Sequence, residues 1–199
     1  MRAAHFNRAT VTAAILAGGA GSRFGGRDKG LELLGGKPLV AHVLAAIEAQ
    51  AGDVLICANR NEAQYRQYAR TLRDGTPDLR GPLAGISAAL AQCATQWLLT
   101  VPVDCPRPPP NLAARLHAAA IASASTLAVA HDGERAQPLF ALYARGLAES
   151  ARAALQADAA VWRWQQDCAA AQADFADCAA AFDNLNTPEE MRRWEREHG

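Results

Sequence analysis

The chain has 199 residues, half of them hydrophobic, and its 20 basic residues balance 20 acidic ones. This length suits one domain with a real core, and a net charge of zero argues against nucleic acid or a membrane surface as a partner. The five cysteines are odd in number and lack CxxC spacing, which argues against a disulfide framework and a structural metal. Because neither a signal peptide nor a membrane-spanning stretch is visible, we expect a soluble cytoplasmic protein.

The first half of the chain alternates apolar strands with amphipathic helices. Short apolar runs bounded by turn residues are typical of buried strands, and apolar positions three or four residues apart are typical of helices. We predict strands at 11–16, 53–59, 71–74 and 97–104, and helices at 38–50, 61–69 and 83–94. Such alternation predicts a three-layer α/β/α, Rossmann-like fold around a mostly parallel sheet.

The second half is less regular. Residues 126–143 predict two strands around Asp132-Gly133, a dipeptide that favours tight hairpins, so we expect an antiparallel hairpin excursion there. The Ala-rich residues 144–181 indicate mostly helix, with a short strand at 161–164 as the alternative for that stretch.

The chain ends in a predicted helix. Thr187 can cap it, Pro188 suits its first turn and Glu190 completes a capping box. We expect residues 1–9 to be an N-terminal extension and residues 10–199 to form a single domain, since no linker or repeat interrupts them.

A glycine-rich loop follows the first strand. Eight of the fifteen glycines lie within residues 18–36. Glycine permits close backbone approach and inward-facing N–H groups, which form anion-binding concavities at the carboxyl edge of a sheet. Arg23, Arg27 and Lys29 add positive charge, a combination that favours a triphosphate.

Three other interpretations of this loop are weaker. A merely solvated surface loop would not need to follow a buried strand directly. A dinucleotide fingerprint fails because Phe24 stands where the third glycine of GxGxxG belongs, and Asn59-Arg60, rather than an acidic residue, ends the second strand. A Walker loop requires GxxxxGK followed by Ser or Thr, which is absent from the sequence.

The loop resembles that of the sugar-nucleotide-pyrophosphorylase-like nucleotidyltransferases, and the chain as a whole resembles one family within them, the molybdenum cofactor guanylyltransferases. The segments that carry the resemblance, in the family's order, are LAGGAGSRFGGRDKGLELLGGKPL (16–39), NRNEAQY (59–65), GPLAGI (81–86), VPVDCP (101–106), HDGER (131–135) and NLNTPEEM (184–191). They span nearly the whole chain.

The resemblance implies a role for each matching residue. Residues along or facing the nucleotide are Leu16, Ala17, Gly18, Gly19, Arg23, Lys29, Asp74 and Asp104. Asp104 would also hold Mg²⁺, and Asn184 and Asn186 would lie near the acceptor. Lys29, Arg23 and Asp104 would be the catalytic set. Two positions depart from the pattern: Cys57 stands where a nucleotide-contacting Asn is expected, and 158–160 lacks basic residues that some relatives carry.

The implied reaction transfers GMP from GTP to the phosphate of molybdopterin, releasing pyrophosphate. Its nucleophile is an already ionised phosphate, so no general base is needed. The enzyme would act mainly by offsetting the repulsion between the two anionic substrates and by stabilising the charge on the leaving pyrophosphate. Partners would be GTP and molybdopterin or its Mo form, with transient contacts to molybdenum-insertion proteins and molybdoenzyme chaperones. The alternatives are a cytidylyl- or sugar-nucleotidyltransferase, an NAD(P)-binding oxidoreductase and a non-catalytic cofactor carrier.

Several of these residues have a structural alternative. Asp104 and Asp74 could be turn residues, and Asn186 could prepare the helix cap at Thr187. Trp162 and Trp164 could stack on a pterin, although alternating large apolar residues more often pack a strand. We expect His131 and the five cysteines to be structural.

Overall fold

The computed structural model describes residues 6–18, 27–74 and 81–198. In these ranges the strands are β1 Val11–Leu16, β2 Leu33–Leu34, β3 Lys37–Pro38, β4 Asp53–Cys57, β5 Arg70–Leu72, β6 Trp97–Pro102, β7 Leu127–His131, β8 Ala136–Ala144 and β9 Ala171–Asp174. The α-helices are α1 Leu39–Ile47, α2 Glu62–Tyr65, α3 Pro82–Gln92, α4 Leu112–Ala122, α5 Ala148–Gln156, α6 Val161–Asp167 and α7 Pro188–His198. Short 3-10 helices lie at Arg8–Thr10, Lys29–Leu31, Arg145–Leu147 and Ala176–Phe182. None of the helices in the described ranges is long and apolar enough to cross a bilayer.

Seven of these strands form one sheet in the order β5-β4-β1-β6-β8-β7-β9. Neighbouring strands are parallel except where β8 pairs with β6 and β7. The strands β7 and β8 form the predicted hairpin, with Gly133 at φ +101° in its turn. The three-layer fold with an antiparallel excursion is therefore confirmed.

Alternate residues of β1 supply the two faces of the sheet. Val11, Ala13 and Ile15 join a core that includes residues of α1 and α4, whereas Ala14 and Leu16 join one that includes residues of α3, α5 and α6. All five side chains are buried, because a strand covered by helices on both sides has no solvent face. The apolar run VTAAIL therefore forms a central strand.

The structure corrects three element predictions. The helix predicted at 61–69 is the single turn α2, and the alternative strand at 161–164 is wrong because these residues begin α6. The strand missed in the Ala-rich region is β9, where alternation of buried and exposed residues in AQAD is too short to be recognised without its partner β7. The small hairpin of β2 and β3 was also not predicted.

The C-terminal segment packs against the small β2–β3 hairpin and the start of α1. The predicted capping box is present: the N–H of Glu190 donates to Oγ1 of Thr187 at 3.1 Å, and the N–H of Thr187 donates to the Glu190 carboxylate at 2.9 Å. Leu185 and Met191 pack with Leu34 and Leu39 in a small separate core. This packing brings residues 184–187 to the carboxyl end of β6, where the N–H of Leu185 donates to the carbonyl oxygen of Asp104 at 2.9 Å.

Candidate active site

A cleft opens at the carboxyl ends of β1, β4 and β6. The chain passes from β1 to β4 on one side and then returns to β6 on the other, and α/β sheets bind ligands at such a switch point. Described residues that line it are Leu16, Ala17, Gly18, Asp28, Lys29, Cys57, Asn59, Asp74, Gly81, Pro82, Gly85, Pro102, Val103, Asp104 and Leu139. Six residues predicted to contact the nucleotide are among them: Leu16, Ala17, Gly18, Lys29, Asp74 and Asp104.

Lys29 and Asp104 form an ion pair in this cleft. The Lys29 ammonium donates to Oδ2 of Asp104 at 2.6 Å and to Oδ1 of Asn186 at 2.8 Å. The Lys29 and Asp104 side chains are 18% and 20% exposed, so both charges are partly shielded from water but reachable by a ligand. Three segments far apart in sequence therefore meet at one ammonium group.

The backbone around Lys29 is held from behind by Asp28. Its carboxylate accepts from the Tyr65 hydroxyl at 2.6 Å, from Asn61 Nδ2 at 3.0 Å and from the Gly30 N–H at 3.2 Å. Burial, followed by the hydrogen bond and charge of Asp28, raises the pKa of Tyr65 well above its usual range. This cluster, which we call the Asp28 latch (Asp28, Gly30, Asn61 and Tyr65), fixes the turn that presents Lys29.

Sequence reasoning did not identify the Asp28 latch. Asp28 stands next to a predicted catalytic lysine, but its partners Asn61 and Tyr65 lie more than thirty residues away. Asn61 adopts a left-handed conformation, φ 52°, which places it at the start of α2. The sequence offered one signal for this contact: RDKG and NRNEAQY both belong to the motifs that resemble the family. In the structure, Tyr65 is the one fully buried residue of NRNEAQY.

Cys57, Asn59 and Asp74 lie together on the β4 side of the cleft. Asn59 Nδ2 donates to Oδ2 of Asp74 at 2.8 Å, and the Asp74 N–H donates to Oδ1 of Asn59 at 3.2 Å. Cys57 is buried against Gly85 of α3, and its thiol donates to the Gly85 carbonyl at 3.4 Å. Burial, with a smaller contribution from Asp74, raises the pKa of the Cys57 thiol to about 12. Cys57 is thus a neutral residue of the cleft wall, while Asn59 and Asp74 supply the polar groups on this side.

The start of α3 also lines the cleft, next to Cys57. Gly81 precedes the helix at φ +69°, a conformation that favours glycine, and Pro82 occupies the first turn. Gly81, Pro82 and Gly85 all line the cleft. The helix predicted at 83–94 is confirmed as α3, which begins one residue earlier at Pro82, and the positive end of its dipole faces the cleft.

The donor set of the cleft fits one hard cation. Oδ1 of Asp104 is buried and has no hydrogen-bond partner, although Oδ2 of the same carboxylate is paired with Lys29. An unpartnered carboxylate oxygen is costly unless a ligand completes it, and Mg²⁺ takes few protein carboxylates and keeps water and phosphate ligands. No group of three or more acidic, His or Cys side chains that could hold a metal occurs in residues 6–18, 27–74 and 81–198. Among the described carboxylates that line the cleft, Asp104 has the buried oxygen without a partner and is therefore the candidate to hold such an ion.

The remaining predicted residues lie in different places. Gly19 and Arg23 fall outside the described residues. Arg27 is exposed and pairs with Glu32 at 3.2 Å. Asn186 reaches Lys29, whereas Asn184 lines a separate groove between residues 105–110 and α7. His131 accepts from the N–H of Gly133 within the hairpin turn, as a structural residue does.

A shallow apolar trough adjoins the cleft. It shares Gly81, Pro82 and Leu139 with the cleft and continues to Asp158–Trp162. The two tryptophans of α6 differ: Trp164 is 3% exposed and stacks on Tyr143 at 5.3 Å between ring centroids, while Trp162 is 52% exposed on the trough. Of the two, only Trp162 is available to a ligand.

Known proteins match this chain over almost their whole length. The MobA-like NTP transferase domain matches residues 13–174. The molybdenum cofactor guanylyltransferase of Vibrio cholerae is 42% identical over 181 residues, covering 90% of this chain and 89% of that protein. Its counterpart in a Shewanella species is 44% identical over 185 residues, covering 92% and 94%.

A solved structure agrees in fold. Molybdopterin-guanine dinucleotide biosynthesis protein A from Archaeoglobus fulgidus superimposes with a TM-score of 0.76 over 94% of this chain and 97% of that one, at 22% identity. The resemblance seen in the sequence motifs is confirmed by the match to the curated relatives. The chain therefore belongs to the molybdenum cofactor guanylyltransferases, nucleotidyltransferases that carry a MobA-like NTP transferase domain.

Proposed function

We propose that this chain transfers GMP from GTP to the phosphate of molybdopterin, giving the guanine dinucleotide form of the cofactor and pyrophosphate. Family membership supports the reaction class. The observation that carries the proposal is the pair of Lys29 and Asp104, with Oδ1 of Asp104 unpartnered, at the carboxyl end of β6. The Lys29 ammonium can bind a polyphosphate, and the unpartnered oxygen of Asp104 can bind the metal ion that accompanies it.

The nucleotide would lie across the end of β1. In this proposal Leu16, Ala17 and Gly18 contact it through their backbone, and Gly19 and Arg23 face its phosphates. Asp74, oriented by Asn59, would bind the nucleoside. The wall formed by Cys57 and Gly85 is apolar, which suits the face of a base or ribose.

The chemistry is a displacement at the α-phosphorus of GTP. An oxygen of the acceptor phosphate forms a bond to that phosphorus while the bond to the β-phosphate oxygen breaks, and pyrophosphate leaves with the bonding electrons. Lys29 and Arg23 stabilise the charge that builds on the leaving group. The acceptor oxygen is already ionised, so the cleft needs no proton acceptor.

Asp104 would hold Mg²⁺. When bound, this ion offsets the repulsion between two anionic substrates and polarises the α-phosphate. Lys29 orients the Asp104 carboxylate through Oδ2, and Oδ1, which has no hydrogen-bond partner, would be the oxygen that binds the ion.

We propose that the acceptor enters along the apolar trough. Leu139 and Pro82 connect the trough to the cleft, and Trp162 gives it an exposed aromatic ring suited to stacking on a pterin. Asn184 and Asn186 are not among the residues that line the trough, and their contact with the acceptor stays a prediction. The basic residues that some relatives carry before α6 are absent here. Stacking of Trp162 on the pterin would therefore contribute more of the binding energy for the acceptor.

A cytidylyl- or sugar-nucleotidyltransferase would use the same phosphate site. The choice between guanine and another base would depend on groups near Cys57 and Asn59. The Asn59 side chain is hydrogen-bonded to Asp74. The NTP that raises the melting temperature most at equal concentration identifies the base, because a ligand of the folded state stabilises that state more when it binds more tightly.

The test measures pyrophosphate release from each of the four NTPs, with Mg²⁺ and molybdopterin, in the intact protein and in the variants Asp104→Ala and Lys29→Ala. We expect release with GTP that is lost in both variants. Equal rates in all three proteins, or no pyrophosphate release with any NTP, would contradict the proposal. Tight NADPH binding without Mg²⁺ would favour an oxidoreductase, and nucleotide binding without release a carrier.

Four further assignments remain predictions. They are the boundary between an extension at 1–9 and a domain at 10–199, cytoplasmic location, Mg²⁺ as the physiological ion, and transient contacts with molybdenum-insertion proteins and molybdoenzyme chaperones.

A further inference from the structure

The segment before α7 is fixed by its backbone on both sides of Asn186. The N–H of Leu185 donates to the carbonyl oxygen of Asp104 at 2.9 Å. The N–H groups of Asn186 and Thr187 both donate to Oε2 of Glu190, at 2.5 Å and 2.9 Å. The backbone of Asn186 is therefore held between Asp104, which follows β6, and Glu190 of α7.

The side chain of Asn186 is directed to the ammonium of Lys29. Oδ1 of Asn186 accepts from Nζ of Lys29 at 2.8 Å, across 157 residues of sequence. A carboxylate at this position would neutralise part of the charge of Lys29, whereas a neutral amide oxygen orients the ammonium and leaves its charge available to an anionic ligand.

We infer that Asn186 is a positioning residue for Lys29: the C-terminal segment holds the ammonium in the cleft where the phosphates of the nucleotide bind. The inference rests on the proposed function, in which Lys29 meets the triphosphate. Truncation of Asn186 removes one acceptor of the Lys29 ammonium and leaves the ion pair with Asp104, so we expect the ammonium to be held less firmly where the phosphates bind.

Helix capping is not the role of this side chain. Oγ1 of Thr187 receives the N–H of Glu190, and the Glu190 carboxylate receives the N–H groups of residues 186 and 187. The cap thus belongs to Thr187 and Glu190, whose contacts survive truncation of Asn186. Thr187→Ala therefore provides a matched control: it removes the hydrogen bond of the helix cap but keeps the backbone hydrogen bonds on both sides of Asn186 and the contact of Asn186 to Lys29.

The experiment compares the intact protein with Asn186→Ala, Asn186→Asp and Thr187→Ala. Calorimetric titration gives the affinity for GTP with Mg²⁺ and no acceptor, thermal unfolding gives the melting temperature, and steady-state kinetics give KM for the acceptor. We expect GTP to bind roughly 10-fold more weakly to Asn186→Ala, equivalent to about 1.4 kcal/mol. Asn186→Asp should bind more weakly still, because its charge neutralises Lys29.

Thr187→Ala should lower the melting temperature while its GTP affinity stays within about twofold of the intact protein. Equal GTP affinity in Asn186→Ala and Thr187→Ala would overturn the positioning role. A raised acceptor KM in Asn186→Ala with unchanged GTP binding would also overturn it, in favour of an acceptor contact. Failure of the intact protein to bind any NTP would instead overturn the proposed function, and this inference with it.

Discussion

Lys29 and Asp104 form a 2.6 Å ion pair between a glycine-rich loop and the end of the central strand β6. The lysine is set in place by the Asp28 latch and by Asn186, and the aspartate by β6 and by Leu185. Because hydrogen bonds to neighbouring residues hold both partners in place, the ion pair is preorganised for a ligand in the cleft. Preorganised charge of this kind stabilises a transition state without reorganisation during the reaction.

Asp104→Asn should lower the rate of GMP transfer by roughly 100-fold or more, because an amide is a poor ligand for a hard cation. Pyrophosphate release measures the rate, and thermal unfolding shows that the fold persists. Asp53→Asn is the matched control, since Asp53 pairs with Arg70 at the opposite, exposed end of β4. Similar rates in the two variants would contradict a role for Asp104 in catalysis.

Gly30→Ala should disrupt the Asp28 latch. A Cβ at residue 30 would overlap the hydroxyl of Tyr65 and lie 2.9 Å from Cγ2 of Val103. Overpacking of this kind costs about 1–3 kcal/mol, and the displaced turn would carry Lys29 away from the phosphates. Urea unfolding and GTP titration measure the two effects.

Gly146→Ala is the control for that substitution, because its Cβ would meet no atom within 4 Å. Unchanged stability and GTP affinity in Gly30→Ala would show that the turn adapts, and that close packing behind Lys29 is dispensable.

Trp162→Ala should raise KM for the acceptor and leave KM for GTP unchanged, since its exposed ring lies on the trough, outside the nucleotide cleft. Trp164→Ala, two residues on, should instead destabilise the fold by about 3–5 kcal/mol, because its buried ring stacks on Tyr143. Steady-state kinetics and urea unfolding separate the two outcomes. If the kinetics of Trp162→Ala match those of the intact protein, the acceptor binds elsewhere.

Stability should fall as the pH rises above about 9. Burial is the main reason that the pKa values of Cys57 and Cys105 rise from 9.0 to about 12. Between these values the unfolded chain has lost the thiol protons and the folded chain retains them, so raising the pH favours unfolding. Urea unfolding at intervals between about pH 8 and pH 11 should show this decline.

A double variant, Cys57→Ala with Cys105→Ala, tests the cause of that decline. Its stability should depend less steeply on pH than that of the intact protein over the same range. Tyr65 and Tyr143, whose pKa values burial also raises, would account for the slope that remains. An identical slope in both proteins would assign the whole effect to groups other than these thiols.

Local patterns in the sequence determined much of the fold. The apolar runs at 11–16 and 97–104 predicted buried strands because a parallel strand covered on both faces needs no polar residues. Asp132-Gly133 predicted the hairpin turn and Thr187 with Glu190 the last helix cap, since each is decided by backbone and side-chain contacts within a few residues. The motifs likewise predicted that Lys29 and Asp104 serve one cleft.

Only the tertiary structure decided the contacts between distant segments. The short strand β9 gains its identity from pairing with β7, and Trp162 and Trp164 differ in exposure because α6 packs one of its faces against β8. Tyr65 reaches Asp28, and Asn186 reaches Lys29, because the sheet order brings their segments to the same edge. Sequence patterns report the local preferences of the chain, whereas these partners are chosen by packing across the whole domain.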